Sequence, residues 1–244
     1  IKSKEIKPKI KMNNCVSIDL GIKSLMTIYD PTGKQIIIDG AYINWLNKSY
    51  NYRIDMLKSK LKTMNNVLTS KKIRNLLIKR ENKINNYFNL IVKWLSKTYC
   101  KKQLMIIGYN EYWKTSVNMG HNLNRAFYSI PYATLLKKIK TKMCGLGVDV
   151  KEYEESYTSK CDALAMEEIC FHKEYLGNRI HRGLFSSSTH KLLNADLNGA
   201  INIMRKYLKK QNIPMTLNLT DNLYNPIRAN ILGEVLKTNQ VKVI

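Results

Sequence analysis

The sequence predicts an α/β fold, and three observations carry the prediction. Short apolar runs with strand-like alternation open the chain and are punctuated by Pro and Gly turns. A stretch from Trp45 to Gln103 has no proline or glycine and repeats its apolar residues at helical spacing. A strand–helix–strand unit then runs from Leu104 to Tyr153 and suits a right-handed parallel crossover.

In order, the first strand is Val16-Ser17-Ile18-Asp19-Leu20-Gly21, with Val16, Ile18 and Leu20 on one face and Ser17, Asp19 and Gly21 on the other. Leu25–Tyr29 and Lys34–Asp39 follow as strands, joined through the turn Asp30-Pro31-Thr32-Gly33, so antiparallel neighbours are expected. Two long helices are expected within 45–103, with a break near Asn65–Ser70 where Ser70 can cap the second. Leu104-Met105-Ile106-Ile107-Gly108 has the unbroken apolarity of a central strand. A long loop over Tyr109–Tyr128 leads to a helix opened by Ser129-Ile130-Pro131, with Ser129 as candidate cap, and stopped at Cys144-Gly145-Leu146-Gly147. Val148–Tyr153 is the fifth strand, an irregular stretch reaches Leu193, and a helix runs from Ala195-Asp196 through Lys206. Beyond Gln211 the periodicity is weak and a loosely structured tail is expected. Three antiparallel strands, a helical insertion, parallel strands and a closing helix make the ribonuclease H-like pattern.

Charge narrows the partners. Lys and Arg number 41 against 18 Asp and Glu, a formal +23, and a field of that size favours a polyanion, most often nucleic acid. The 15 tyrosines and 3 tryptophans supply rings that can stack on bases. Within 45–103 fifteen basic residues face two acidic ones, Asp55 and Glu81. Such helices repel themselves and gain from a polyanion lying on them, with Lys71, Lys72, Arg74, Lys79 and Arg80 as candidate contacts. No apolar run has the length of a membrane span. The five scattered cysteines argue for reduced thiols in an intracellular compartment rather than a disulfide framework.

The candidate chemistry lies in carboxylates. Asp19 sits on the first strand, Glu154 and Glu155 follow the fifth, and Asp196 begins the last helix. Strand ends and helix starts often meet at one edge of an α/β sheet. Carboxylates converging there suit Mg²⁺ or Mn²⁺, and a pair of such ions is a general solution for phosphodiester hydrolysis.

The segment Ser17-Ile18-Asp19-Leu20-Gly21-Ile22-Lys23 is similar to the first RuvC-like motif of the TnpB (OrfB) transposon-associated proteins, and Asn194-Ala195-Asp196-Leu197-Asn198-Gly199-Ala200-Ile201-Asn202-Ile203 resembles their third. Ser156-Tyr157-Thr158-Ser159-Lys160 resembles the lead into their zinc ribbon. The resemblance implies an RNA-guided DNA endonuclease related to type V CRISPR effectors, with a RuvC-like nuclease domain over 15–210, a basic helical insertion at 45–103, a degenerate zinc-ribbon-like insertion at 156–193 and a tail at 211–244. Asp19 and Asp196 become metal ligands, and DNA and a guide RNA become the partners.

The chain departs from that pattern in three places. Where the second motif carries glutamate after the fourth strand, this chain has Gly108, and Glu111 lies three residues further on. Ile107–Lys114 together with Glu154–Lys160 resembles the Fanzor branch, in which the later segment supplies the missing acid. This implies Glu155 as the third ligand, with Glu154 and Glu111 as alternatives. Paired Cys-x-x-Cys knuckles are absent, leaving Cys161, Cys170 and His172, with His181 or His190, as the candidate zinc ligands and zinc itself doubtful. Relatives also carry a further N-terminal region, so a fragment, a split gene with a separately encoded N-terminal portion as partner, or a decayed copy is expected. Gly177–Phe185 resembles the same branch and implies that Arg179 and Arg182, with Lys114, contact nucleic acid. A non-catalytic nucleic-acid-binding remnant shares the charge and the fold. An actin-like phosphotransferase would need a second Asp-x-Gly phosphate loop, which the sequence lacks.

Overall fold

A computed structural model describes residues 10–65, 67, 69–109, 125, 127–217, 223–229 and 231–233. The two candidates Glu111 and Lys114 lie outside the described residues.

The chain enters through a short 3₁₀ turn, Met12–Asn14, and forms β1 (Cys15–Leu20), β2 (Ser24–Tyr29) and β3 (Ile36–Asp39). Two long helices follow, α1 (Ala41–Asn65) and α2 (Lys71–Tyr99), then β4 (Leu104–Gly108), α3 (Tyr132–Cys144) and β5 (Asp149–Tyr153). The remaining elements are β6 (Asn178–His181), β7 (Leu184–Ser186), β8 (Leu192–Asn194), α4 (Ala195–Lys210) and β9 (Ile227–Ala229). The main sheet has the order β5-β4-β1-β2-β3-β9, and β6-β7-β8 make a second, smaller sheet. Pairing is antiparallel from β1 to β2 to β3 and parallel from β1 to β4 to β5, the mixed α/β arrangement expected from the sequence.

Alternation on β1 decides which layer covers which face. Val16, Ile18 and Leu20 join a core with Ile43, Leu46, Phe88, Ile91, Leu135 and Ile139, so α1, α2 and α3 cover that side. Cys15 belongs instead to a core with Leu197, Ala200, Ile201 and Met204 of α4. Ser17 follows that second side, and its Oγ donates to Ala200 O at 2.6 Å. Asp19, two residues further along, therefore faces α4 as well.

Several local expectations are met or revised by the geometry. Ser70 caps α2, its side chain accepting from Ile73 N at 3.3 Å. Ser129 does not cap α3: Pro131 holds the N-cap position, while Ser129 Oγ donates to Arg125 O. The region between β5 and α4 is not irregular throughout, because β6, β7 and β8 pair within it. The tail likewise contributes an edge strand, β9, paired in parallel with β3. Among the described residues no helix is long and apolar enough to cross a membrane.

Candidate active site

Register brings the site together at one end of the main sheet. Ile18 pairs with Ile107, so Gly108 stands beside Asp19, and Gly108 in turn pairs with Tyr153. Glu155 follows two residues later and shares the face of Tyr153. A Cβ built on Gly108 would lie 2.8 Å from Glu155 Oε2 and 2.4 Å from Ile203 Cδ1 of α4. The Glu155 carboxylate thus occupies the space into which a side chain at position 108 would project. Gly199 makes the matching opening on α4, where an added Cβ would lie 2.9 Å from Asp19 Oδ2.

Asp196 stands at the first turn of α4, fixed by its neighbour. Asn194 is the N-cap, and its Oδ1 accepts from Asp196 N at 3.0 Å and Leu197 N at 3.1 Å. Both Asp196 oxygens have partners: Ser24 Oγ donates to Oδ2 at 2.8 Å, and Arg179 Nη2 of β6 donates to Oδ1 at 3.0 Å. Burial raises the Asp19 carboxyl well above the usual carboxylate range, and the Glu155 and Asp196 charges push it further up while Arg179 opposes them. Like charge therefore collects at this edge with one guanidinium to offset it, the electrostatic condition that a bound cation relieves. Three carboxylates are hard oxygen donors of the kind that suit Mg²⁺ or Mn²⁺. As placed, no three His, Cys, Asp or Glu side chains among the described residues stand so that they could hold a metal ion. Arg179 and Ser24 hold Asp196, so an entering cation would exchange with the guanidinium.

The two adjacent glutamates diverge. Glu154 turns to Lys206, with which it forms an ion pair, and accepts from Ser156 N at 2.6 Å. Its desolvation is outweighed by the hydrogen bonds from Lys206 and Ser156, which lower its pKa. Glu155 turns inward, and its backbone is held by Thr158, whose Oγ1 donates to Glu155 O at 2.7 Å. The turn needs Tyr157 in the left-handed region at φ 67°.

Residues not anticipated from the sequence complete the site. Asn198 and Asn202, one and two turns beyond the cap Asn194, are buried and reach across to the segment after Glu155. Asn198 Nδ2 donates to Cys161 O at 2.8 Å and Asn202 Nδ2 to Thr158 O at 2.8 Å. The i, i+4, i+8 spacing of asparagine was the available signal. Tyr132, at the start of α3, donates to Gly21 O at 2.8 Å. Burial raises its phenol, and the Asp19 and Glu155 charges raise it further, so it lines the same edge.

Among the described residues the candidate zinc ligands do not gather into a group of three that could hold a metal ion. Cys161 is buried, and its thiol donates to Cys170 O at 3.7 Å. Burial raises that thiol. Cys170 Sγ contacts His172 Nε2 at 3.3 Å, while His181 and His190 are exposed. A carboxylate holds the insertion together instead. Asp162, fully buried, accepts from Leu164 N, Ala165 N, Ser187 Oγ, Ser188 N and Ser188 Oγ at 2.8–3.2 Å. Glu167 accepts from Asp162 N and Leu176 N at 2.6 and 2.9 Å. Asp162→Ala strands those donors and is expected to cost about 3 kcal/mol, a fall of roughly 6–12 °C in Tm for a chain of this size. A zinc chelator is expected to leave the wild-type melt unchanged, both read by circular dichroism.

The basic candidates divide. Lys71, Lys72 and Lys79 line an open groove of about 470 Å³ with Arg53, Asn75 and Leu76. Arg74 and Arg182 are exposed. Arg80 is not available as a contact: its Nε donates to Asn47 Oδ1 at 2.9 Å and its Nη2 to Ser129 O at 3.2 Å, tying α2 to α1 and to the start of α3.

Comparison with known proteins fits this architecture. The sequence model of the family described as "Probable transposase", OrfB_IS605, matches residues 1–108. No curated protein sequence matches the chain. Among solved structures, a Cas12f1–sgRNA–target DNA complex is similar at 20% identity and a TM-score of 0.55, over 79% of this chain and 50% of that one. A CRISPR-Cas12f ternary complex is similar at 19% identity and a TM-score of 0.54, over 84% of this chain and 39% of that one. The chain thus spans half or less of the length of those proteins, and the likeness is one of fold. The family match and the shared fold support the TnpB-type resemblance carried by the two aspartate motifs.

Proposed function

We propose that the chain carries the RuvC-like nuclease domain of an RNA-guided, TnpB-type DNA endonuclease, of the Fanzor-like kind in which the third acid comes from the segment after β5. The observation that carries this reading is the space above Gly108, filled by the Glu155 carboxylate beside Asp19. Asp19, Glu155 and Asp196 are the residues that would hold divalent ions, which when bound would supply Lewis acidity toward the attacking water and the leaving oxygen. Ser24 orients Asp196. Arg179, once released from Asp196, would hold a phosphate oxygen of the strand. Asn198, Asn202 and Thr158 fix the backbone from which Glu155 projects.

A second reading, a nucleic-acid-binding chain without cleavage, is favoured by the Arg179 and Ser24 contacts that engage both oxygens of Asp196. One experiment separates the two. The chain is purified from its host cells, co-purified RNA is sequenced, and the complex is offered matching and unrelated DNA with Mg²⁺ or with EDTA. Mg²⁺-dependent cuts confined to matching DNA are expected. Salt-sensitive binding with no cuts under any condition selects the second reading.

A further inference from the structure

We propose that Tyr132 and Asn44 are positioning residues for the Asp196 carboxylate, acting through the β1–β2 link and the Ser24 hydroxyl. The link Gly21-Ile22-Lys23 joins β1, which carries Asp19, to β2, whose first residue is Ser24. A short surface link ordinarily leaves its carbonyls to water. Here each carbonyl is taken by a different group. Gly21 O accepts from the Tyr132 hydroxyl of α3 at 2.8 Å, and Ile22 O accepts from Asn44 Nδ2 of α1 at 2.7 Å. Lys23 O accepts from Gly40 N, between β3 and α1, at 2.7 Å. The approach needs glycine at 40, because an added Cβ would collide with Ile22 O. The backbone of the link is thus fixed from three sides.

Strict alternation along β2 would aim Ser24 away from Asp196. Met26 and Ile28 belong to the core beneath α1, α2 and α3, whereas Tyr29 belongs to the core beneath α4. Ser24, two residues before Met26, would share the first of those sides. The register of β2 against β3 shifts between Ser24 and Met26, and a bulge of this kind re-aims a side chain. Ser24 turns to α4, where it is buried and its Oγ donates to Asp196 Oδ2 at 2.8 Å. That bond holds one carboxylate oxygen, and the other, Oδ1, is the one that meets Arg179. A carboxylate ligand is oriented for its ion by such a neighbouring donor. The reach of Ser24 depends on where the link stands, so Tyr132 and Asn44 bear on Asp196 at second hand. The inference rests on the metal-holding role proposed above for Asp196 and adds the residues that set its geometry.

The test is Mn²⁺ binding by the chain without nucleic acid, with free ion read by electron paramagnetic resonance, in a double-mutant cycle. Ser24→Ala is expected to weaken binding about tenfold, and Ser24→Thr, which keeps the hydroxyl, less than about threefold. Tyr132→Phe and Asn44→Ala are each expected to weaken it about three- to tenfold when Ser24 is present. Once Ser24 is alanine, each should cost less than about 1.5-fold. A general loss of stability, followed by thermal melts without Mn²⁺, would act alike in both backgrounds, so the missing additivity is what identifies positioning. Equal losses in the two backgrounds would overturn the inference. Tyr132 would then act on the site directly, its phenol lying close enough to Asp19 and Glu155 for their charges to raise it. Unchanged binding in Ser24→Ala would overturn it as well, with the metal-holding role of Asp196 intact. Wild-type binding that Asp196→Asn does not weaken, or no binding at all, would remove that role and the inference with it.

Discussion

Asp196→Asn is expected to remove Mg²⁺-dependent cleavage, by about a thousandfold or more, the several kcal/mol that a bound ion's Lewis acidity would contribute, and to leave nucleic-acid binding within about twofold because no charge in the groove of Lys71, Lys72 and Lys79 changes. The same prediction extends to Asp19→Asn, which carries a second readout independent of activity. The Asp19 carboxyl is raised by burial and by the charges of Glu155 and Asp196. A raised carboxyl favours the folded chain while protonated, and that contribution is lost as pH rises through its folded-state pKa. Without divalent ions, Asp19→Asn is therefore expected to melt higher than wild type at pH 7. The two melts should converge below about pH 4, where the unfolded carboxyl also protonates. Added Mg²⁺ should raise the wild-type melt and leave the variant's where it is. A chain whose melt ignores Mg²⁺ in both forms does not bind the ion at these carboxylates, and the reading reverts to nucleic-acid binding without cleavage.

How much of this was legible in the sequence follows from how far apart the interacting residues are. The alternation of β1 is local, so the facing of Ser17 and Asp19 could be read, and α4 supplied what they face. The two long helices declared themselves through apolar spacing alone. Arg80 could not be read in the same way. A basic residue on a basic helix looks like its neighbours, and its inward turn depends on Asn47 and on Ser129, 33 and 49 residues away. The small sheet was equally hidden, since β6 is exposed at every position and its strands are three or four residues long. Such strands lack an alternating pattern because they have almost no core of their own, Phe185 and Leu193 being the buried anchors. Their value lies in placement: β8 runs directly into α4, and β6 brings Arg179 to Asp196. β9 escaped for a similar reason, adding three residues to the edge at β3.

For the third corner of the site the sequence left Glu155, Glu154 and Glu111 as candidates, and the geometry predicts that the two adjacent ones behave oppositely. Glu155→Gln is expected to lower cleavage by about a hundredfold or more, as loss of a ligand charge should, whereas Glu154→Gln should stay within about threefold, since its partner is Lys206 at an exposed position. Gly108→Ala is expected to behave like a mild Glu155 variant. Its methyl would meet Glu155 Oε2 at 2.8 Å and Ile203 Cδ1 at 2.4 Å, and the flexible ends of both side chains would have to move. The more demanding version relocates the acid. In Glu155→Ala the carboxylate is gone from the space above Gly108, so Gly108→Glu in that background projects an acid toward the position Glu155 held once the end of Ile203, 2.4 Å from the added Cβ, moves aside. Recovery of about tenfold over Glu155→Ala alone is expected, measured as single-turnover cleavage so that chemistry is separated from product release. A strong loss from Glu154→Gln with an indifferent Glu155→Gln would reverse the assignment. The ends of β4 and β5 converge on one row of the sheet, that of Asp19, Gly108 and Tyr153, so an acid carried at either end would face the same edge.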